Sequence, residues 1–318
     1  MTAVRTKTTP GWIRLLELTF LGVILALVGR YLWIHFQALD AGALHARPGR
    51  IALSVLVGSL AGLLSAPVTA GYFRILGHHV PARSALALAT IPRLARYVPG
   101  KVHSLLGLAW LAHRLEGIPV RTSISVVILM SVQTVVVSVQ CGALIAPWTG
   151  LAWPWLLALA AGFAAGFVLL VPSLCVLPIN WLLEHLGRNI IEYRPAYHRV
   201  LVLSLIAGVQ RCIVAVMFAL LASSLIDLPT GLIGYLALAY ILSTLSGFLA
   251  LFAPAGIGVQ EGALLLLLTP VLPGEQAAVL TVAARIWQTT MLLIDAGVGG
   301  LALWLIRPAG RDELESRR

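Results

Sequence analysis

Four charged residues stand inside long apolar runs of this 318-residue chain: Arg211, Glu261, Arg285 and Asp295. A charge placed in hydrocarbon costs roughly 2.5–3.5 kcal/mol on insertion scales, so it is kept where it pairs or binds something. Helical rise puts Glu261 and Arg285 at nearly the same depth, and Arg211 and Asp295 at another. Two intramembrane charge pairs are therefore expected, Glu261 with Arg285 and Arg211 with Asp295. Glu261 follows a backbone interruption at Pro254, Gly256 and Gly258. A helix starting there turns its free N–H groups and positive dipole end toward an anionic head group. Helix packing alone would also account for such pairs.

A second constellation surrounds Pro99-Gly100, where Arg93, Arg96 and Lys101 bring three cations to another broken stretch beside Tyr97. Phosphate is the natural partner of clustered guanidinium and ammonium groups. A topogenic cluster touching anionic lipid reads the same way, with Tyr97 as an interfacial anchor. Enzyme signatures are missing: the chain has no HExxH, GxSxG, Walker loop or GxGxxG. His78-His79, His103 and His113 lack metal-ligand spacing, and Cys141, Cys175 and Cys212 stand singly in apolar stretches. No catalytic residue, metal or cofactor is expected, and no basic stripe interleaved with aromatics suggests nucleic acid.

The elements holding these residues must be membrane helices. Hydrophobic residues make up 59% of the chain and charged ones 11%, and the mean hydropathy is +0.95. Runs such as 54–67 and 156–171 are apolar on every side, which excludes the alternation of a β-barrel. The fold class read from this is an all-α polytopic membrane protein of about eight transmembrane helices, near 15–36, 51–73, 123–146, 151–177, 198–225, 229–253, 256–272 and 276–306. The stretch 74–121, broken by Pro81, Pro92 and Pro99-Gly100, reads as a membrane-dipping hairpin. A single integral domain is expected. It has a cytoplasmic N-terminus (1–14) leading into an uncleaved first span, an interfacial helix at 178–197, and a charged cytoplasmic tail at 307–318. Of the 22 basic residues, only Arg47 and Arg50 fall in segments assigned to the outer side, and Arg30, Arg211 and Arg285 fall within spans. That bias puts both termini in the cytoplasm.

Each half of the chain holds two long spans and then a Pro/Gly-interrupted segment. Paired broken segments of this kind point to a transporter's binding site, and a two-half internal repeat would explain them.

The segments Arg93-Leu94-Ala95-Arg96-Tyr97-Val98-Pro99-Gly100-Lys101-Val102 and Phe252-Ala253-Pro254-Ala255-Gly256-Ile257-Gly258-Val259-Gln260-Glu261-Gly262-Ala263, with Arg285 downstream, resemble the flippase-like family of bacterial and archaeal membrane proteins. That family shares its membrane region with lysylphosphatidylglycerol synthases. The resemblance runs from about Leu15 to Ile306. It implies a multi-pass protein of the bacterial inner membrane that binds or flips an anionic phospholipid or a polyprenyl-phosphate intermediate, with the Pro-Gly and Gly-x-Gly-x-x-Glu segments near the functional centre. Gln260 stands where many relatives are expected to carry a basic residue. With no acyl-transfer domain after Ile306, lipid handling is expected and lipid aminoacylation is not. The alternative expectation is a non-transporting accessory or scaffold subunit for a membrane glycosyltransferase or lipid-modifying enzyme.

Overall fold

The computed structural model describes residues 47–95, 102–171, 174, 180, 196–250 and 253–306. The expected first span at 15–36, most of the interfacial segment 178–197, the tail 307–318, and Arg96, Tyr97, Pro99, Gly100 and Lys101 lie outside them.

Every regular element among the described residues is helical. In chain order these are α1 (Pro48–Leu63), α2 (Ser65–Ile75), α3 (Ala82–Leu94), α4 (Val102–Glu116), α5 (Val120–Ile145), α6 (Trp153–Leu169), α7 (Tyr197–Leu225), α8 (Ile233–Leu249), α9 (Val259–Leu268) and α10 (Gly274–Leu305). Five stretches are long and apolar enough to cross a membrane: Pro48–Ile75, Val120–Trp148, Tyr197–Leu225, Thr230–Leu249 and Gly274–Leu305. The protein is a multi-pass membrane protein by this measure. Its surface agrees, since Leu56, Leu205, Leu266 and Leu293 are each more than 60% exposed. Many inward hydroxyls turn back on their own helix, as Thr69, Ser138 and Thr281 do by donating to the carbonyls of Ser65, Thr134 and Ala277. This removes their polarity from the helix contacts.

The helices meet at two poles. At the first pole the backbone N–H of Arg47 donates to Ser224 at 2.9 Å, Arg47 pairs with Asp227, and Tyr235 donates to the carbonyl of Leu267 at 2.8 Å. At the second pole Tyr197 donates to the carbonyl of Phe167 at 2.8 Å and Arg83 reaches the carbonyl of Leu305. Exposed Trp148, Trp153 and Trp155 ring the first pole and Trp304 marks the second, as interfacial aromatics do.

Two helical hairpins start from opposite poles. α3 and α4, from the 74–121 stretch, form the first. α3 starts at the second pole and α4 returns to it, with Gly107 lying 4.0 Å from Pro92 where a Cβ would project. At 13 and 15 residues these helices are about 20 Å long, too short to cross. α8 and α9 form the second, running from the first pole and back. Here the sequence reading is corrected: 256–272 is no full crossing. Residues 253–258 form a turn and α9 has only ten residues, about 15 Å of helix.

The core follows this division. One buried cluster gathers Tyr72, Phe73, Leu88, Leu108, Leu111, Ile118 and Leu203 around the first hairpin. Another gathers Phe218, Leu236, Tyr240, Leu264, Leu280 and Trp287 around the second.

Candidate functional site

α10, 32 residues without a break, is the post to which both hairpins are tied. α3 runs antiparallel along its last turns. Arg83 meets Leu305, Thr90 and Ile91 fit against Gly299, and Arg93 pairs with Asp295 at 2.7 Å. Asp295 therefore takes its partner from the first hairpin, and the expected pairing with Arg211 is corrected. Its geometry is simple: α3 carries Arg93 about 16 Å from the helix start at Ala82, up to the level of Asp295. Reading Arg93 as part of a surface cluster hid that depth. The 13-residue α3 bounded by Pro81 was the signal that would have revealed it.

The second hairpin is tied ten residues earlier on α10. Glu261 and Arg285 form the expected ion pair, with side chains only 10% and 15% exposed. One carboxylate oxygen of Glu261 accepts from the Arg285 Nε–H, and the other accepts from the backbone N–H of Gly258 at 2.7 Å. The start of α9, expected to offer open N–H groups to an anion, is capped at Gly258 by the protein's own carboxylate.

The turn before α9 depends on its small residues. Ala255, Gly256 and Gly258 have φ of 50°, 70° and 84°, a left-handed run that glycine adopts most easily. Gly256 also packs on Gly247 of α8 so tightly that a Cβ would sit 2.7 Å from the Gly247 Cα. Pro254 opens the same turn.

Between the two ion pairs lies a polar level. Gln288 donates to the Tyr240 hydroxyl at 3.0 Å, and Tyr240 stacks on Phe218 with ring centroids 4.4 Å apart. Gln210 donates to the carbonyl of Ala61 at 2.7 Å. α1 comes close to α10 through glycines: Gly58 faces Trp287 and Met291, and a Cβ on Gly62 would lie 2.9 Å from an Asp295 carboxylate oxygen. Arg211 is partly buried on α7, with no hydrogen bond or ion pair to any described residue. The sequence reading missed Gln210, Gln288 and Tyr240, although two glutamines inside apolar runs are as conspicuous as the charges.

Among the described residues no group of His, Cys, Asp and Glu is arranged to hold a metal. Cys141 and Cys212, far apart in sequence, meet with sulfurs 3.9 Å apart where α5 crosses α7. Beside them an apolar cleft of about 390 Å³ opens between α1, α5 and α7, walled by Val57, Leu144, Leu205 and Val209.

Comparisons with protein families, with curated proteins and with solved structures return no match.

Proposed function

We propose that this chain binds an anionic lipid or lipid-linked intermediate and moves it between the leaflets of a bacterial inner membrane. The observation that carries the reading is the pair of broken hairpins, entering from opposite poles and each closed onto α10 by a charge pair. Discontinuous helices approaching from two sides are the architecture in which transporters build midplane sites. In this reading the second pole, with Arg74, Arg83, Arg114, Arg121 and Arg199, faces the cytoplasm, and Arg47 and Arg50 face outward. The layout has six crossings, 15–36, Pro48–Ile75, Val120–Trp148, 151–177, Tyr197–Leu225 and Gly274–Leu305, plus the two hairpins, with both termini inside; Thr230–Leu249, although long enough to cross, is read as one limb of the second hairpin because α9 brings the chain back to the first pole. The resemblance in 93–102 and 252–263 supports the same cargo class.

Arg96 and Lys101 are the proposed cytoplasmic collectors of the head group, beside Tyr97, Pro99 and Gly100. Arg285 is proposed to receive it further in. Since Arg285 is held by Glu261, an incoming anion must displace that carboxylate, and a proton on Glu261 would release the guanidinium without leaving a charge behind. Glu261 is thus the proposed charge balance or proton relay, acting without a cofactor.

The second reading, a scaffold for a membrane glycosyltransferase, is favoured by one fact: Glu261 and Asp295 are both used inside the chain, as helix packing alone requires. Glu261→Gln separates the two, because its amide oxygen still accepts from Gly258 while the charge is gone. In proteoliposomes carrying a fluorescent phosphatidylglycerol, a translocator shows outward exposure of the label that this variant loses while remaining folded. Equal rates for wild type, variant and empty vesicles overturn the translocation reading.

A further inference from the structure

Arg211 sits midway along α7, on the face that carries Ser204 one heptad before it and Phe218 one heptad after, both buried. It points inward. Residues of the first core, Val200 and Leu203, lie on one side of it along the helix, and residues of the second core, Met217, Phe218 and Leu221, on the other. Arg211 thus occupies the seam between the two hairpin-centred cores. Its side chain nevertheless keeps some accessibility, so the seam is not packed shut.

Charge at this seam does not balance. Arg211 has its place next to the Arg93–Asp295 pair: the adjacent Gln210 donates to the carbonyl of Ala61, and a Cβ on the following residue, Gly62, would lie 2.9 Å from an Asp295 carboxylate oxygen. Asp295 is spent on Arg93, and Glu261 is divided between Arg285 and Gly258. The other described carboxylates, Glu116, Asp227 and Glu275, stand at the poles. Elsewhere in the sequence, the expected spans hold a carboxylate only at Glu17, near the start of 15–36. Two guanidiniums and one carboxylate leave a net positive charge in an apolar interior, a costly state that an arriving anion relieves. Hydrogen-bond donors accompany it. Gln288 lies at this level of α10, and the buried indole N–H of neighbouring Trp287 has no acceptor among the described residues.

We propose that Arg211 is a binding residue for a phosphate-bearing anion, holding it at the midpoint between the two hairpins. A guanidinium takes two oxygens of such a group side by side, which an ammonium does not. The apolar cleft beside Cys141 and Cys212, lined by Gly208 and Val209 of the same turn of α7, gives an acyl chain a place next to the seam. The proposal rests on the translocation reading for the source of the phosphate, a lipid head group, while free phosphate has the same chemistry.

The test uses the full chain in detergent, as wild type, Arg211→Gln, Arg211→Lys and Arg285→Gln. Affinity is measured for phosphatidylglycerol, inorganic phosphate and diacylglycerol, and thermal unfolding is followed without added lipid. Expected is binding of phosphatidylglycerol but not diacylglycerol, about ten- to a hundredfold weaker in Arg211→Gln and intermediate in Arg211→Lys. Arg211→Gln should melt no lower than wild type, because it removes an unbalanced charge, whereas Arg285→Gln should melt lower. Unchanged affinity in Arg211→Gln, no binding of either phosphate probe by wild type, or destabilisation of Arg211→Gln equal to that of Arg285→Gln overturns the proposal. Phosphate bound as tightly as phosphatidylglycerol, and lost in Arg211→Gln, keeps the site but removes the lipid. Lipid translocation at equal rates by wild type and Arg211→Gln keeps the function and rejects this site.

Discussion

The two hairpins solve one problem with opposite signs. The first brings a cation, Arg93, to an anion on α10; the second brings an anion, Glu261, to a cation on the same helix. The anchors also differ in quality. Glu261 and Arg285 are nearly shielded, and the carboxylate is bonded on both oxygens, one of them to the backbone of its own turn. Arg93 is 31% exposed and holds Asp295 through a single hydrogen bond, from Nη1 at 2.7 Å. The difference teaches that the second hairpin is locked through its backbone as well as its side chain, whereas the first is held by a single, less enclosed link. Of the two anchors, the first is the easier to break.

The largest test of that contrast is Arg285→Ala, which leaves the Glu261 carboxylate buried without its partner. A loss of about 3–5 kcal/mol is expected, seen as a lower unfolding temperature in detergent, with partial recovery when Glu261→Gln is added. Next is Gly256→Ala. A methyl group there meets the Gly247 backbone, and the residue is forced into left-handed φ, so about 2–4 kcal/mol should be lost in the same assay. Asp295→Asn should cost less, about 1–2 kcal/mol, because Arg93 is less enclosed than Arg285 and the amide oxygen still accepts its N–H. A loss as large as that of Arg285→Ala would abolish the distinction between the anchors. The smallest effect is expected away from both hairpins. Mild oxidation should join Cys141 to Cys212, detectable by mass spectrometry after thiol blocking, with little change in unfolding temperature. A large shift would mean that the α5–α7 crossing takes part in the same locking.

Sequence alone carried the helical class, the short proline-bounded helices before Arg121 and the Glu261–Arg285 pair. These depend on properties that act locally: apolar run length, proline and glycine breaks, and the cost of isolated charges. Two things stayed hidden. The partner of Asp295 could not be read, because which helix lies against which is decided by shape. Gly299 receiving Thr90 and Ile91 sets the register that delivers Arg93, and no count of depth contains that information. The shortness of α9 was masked by its composition, since 256–272 is apolar enough to cross but is spent on a turn at its start. The capping of Gly258 by Glu261 was likewise invisible, although the three-residue spacing is that of a carboxylate reaching back over a helix start.

The unbroken course of α10 has a rotational consequence. Arg285 and Asp295 are ten residues apart, which on a helix of 3.6 residues per turn separates them by about 15 Å along the axis and about 80° around it. A roll of α10 about its own axis therefore carries the two anchors in different directions. Both pairs are formed at the one orientation of the structure, so a roll that slides one anchor sideways past its partner draws the other toward or away from its own, and the two anchors loosen unequally.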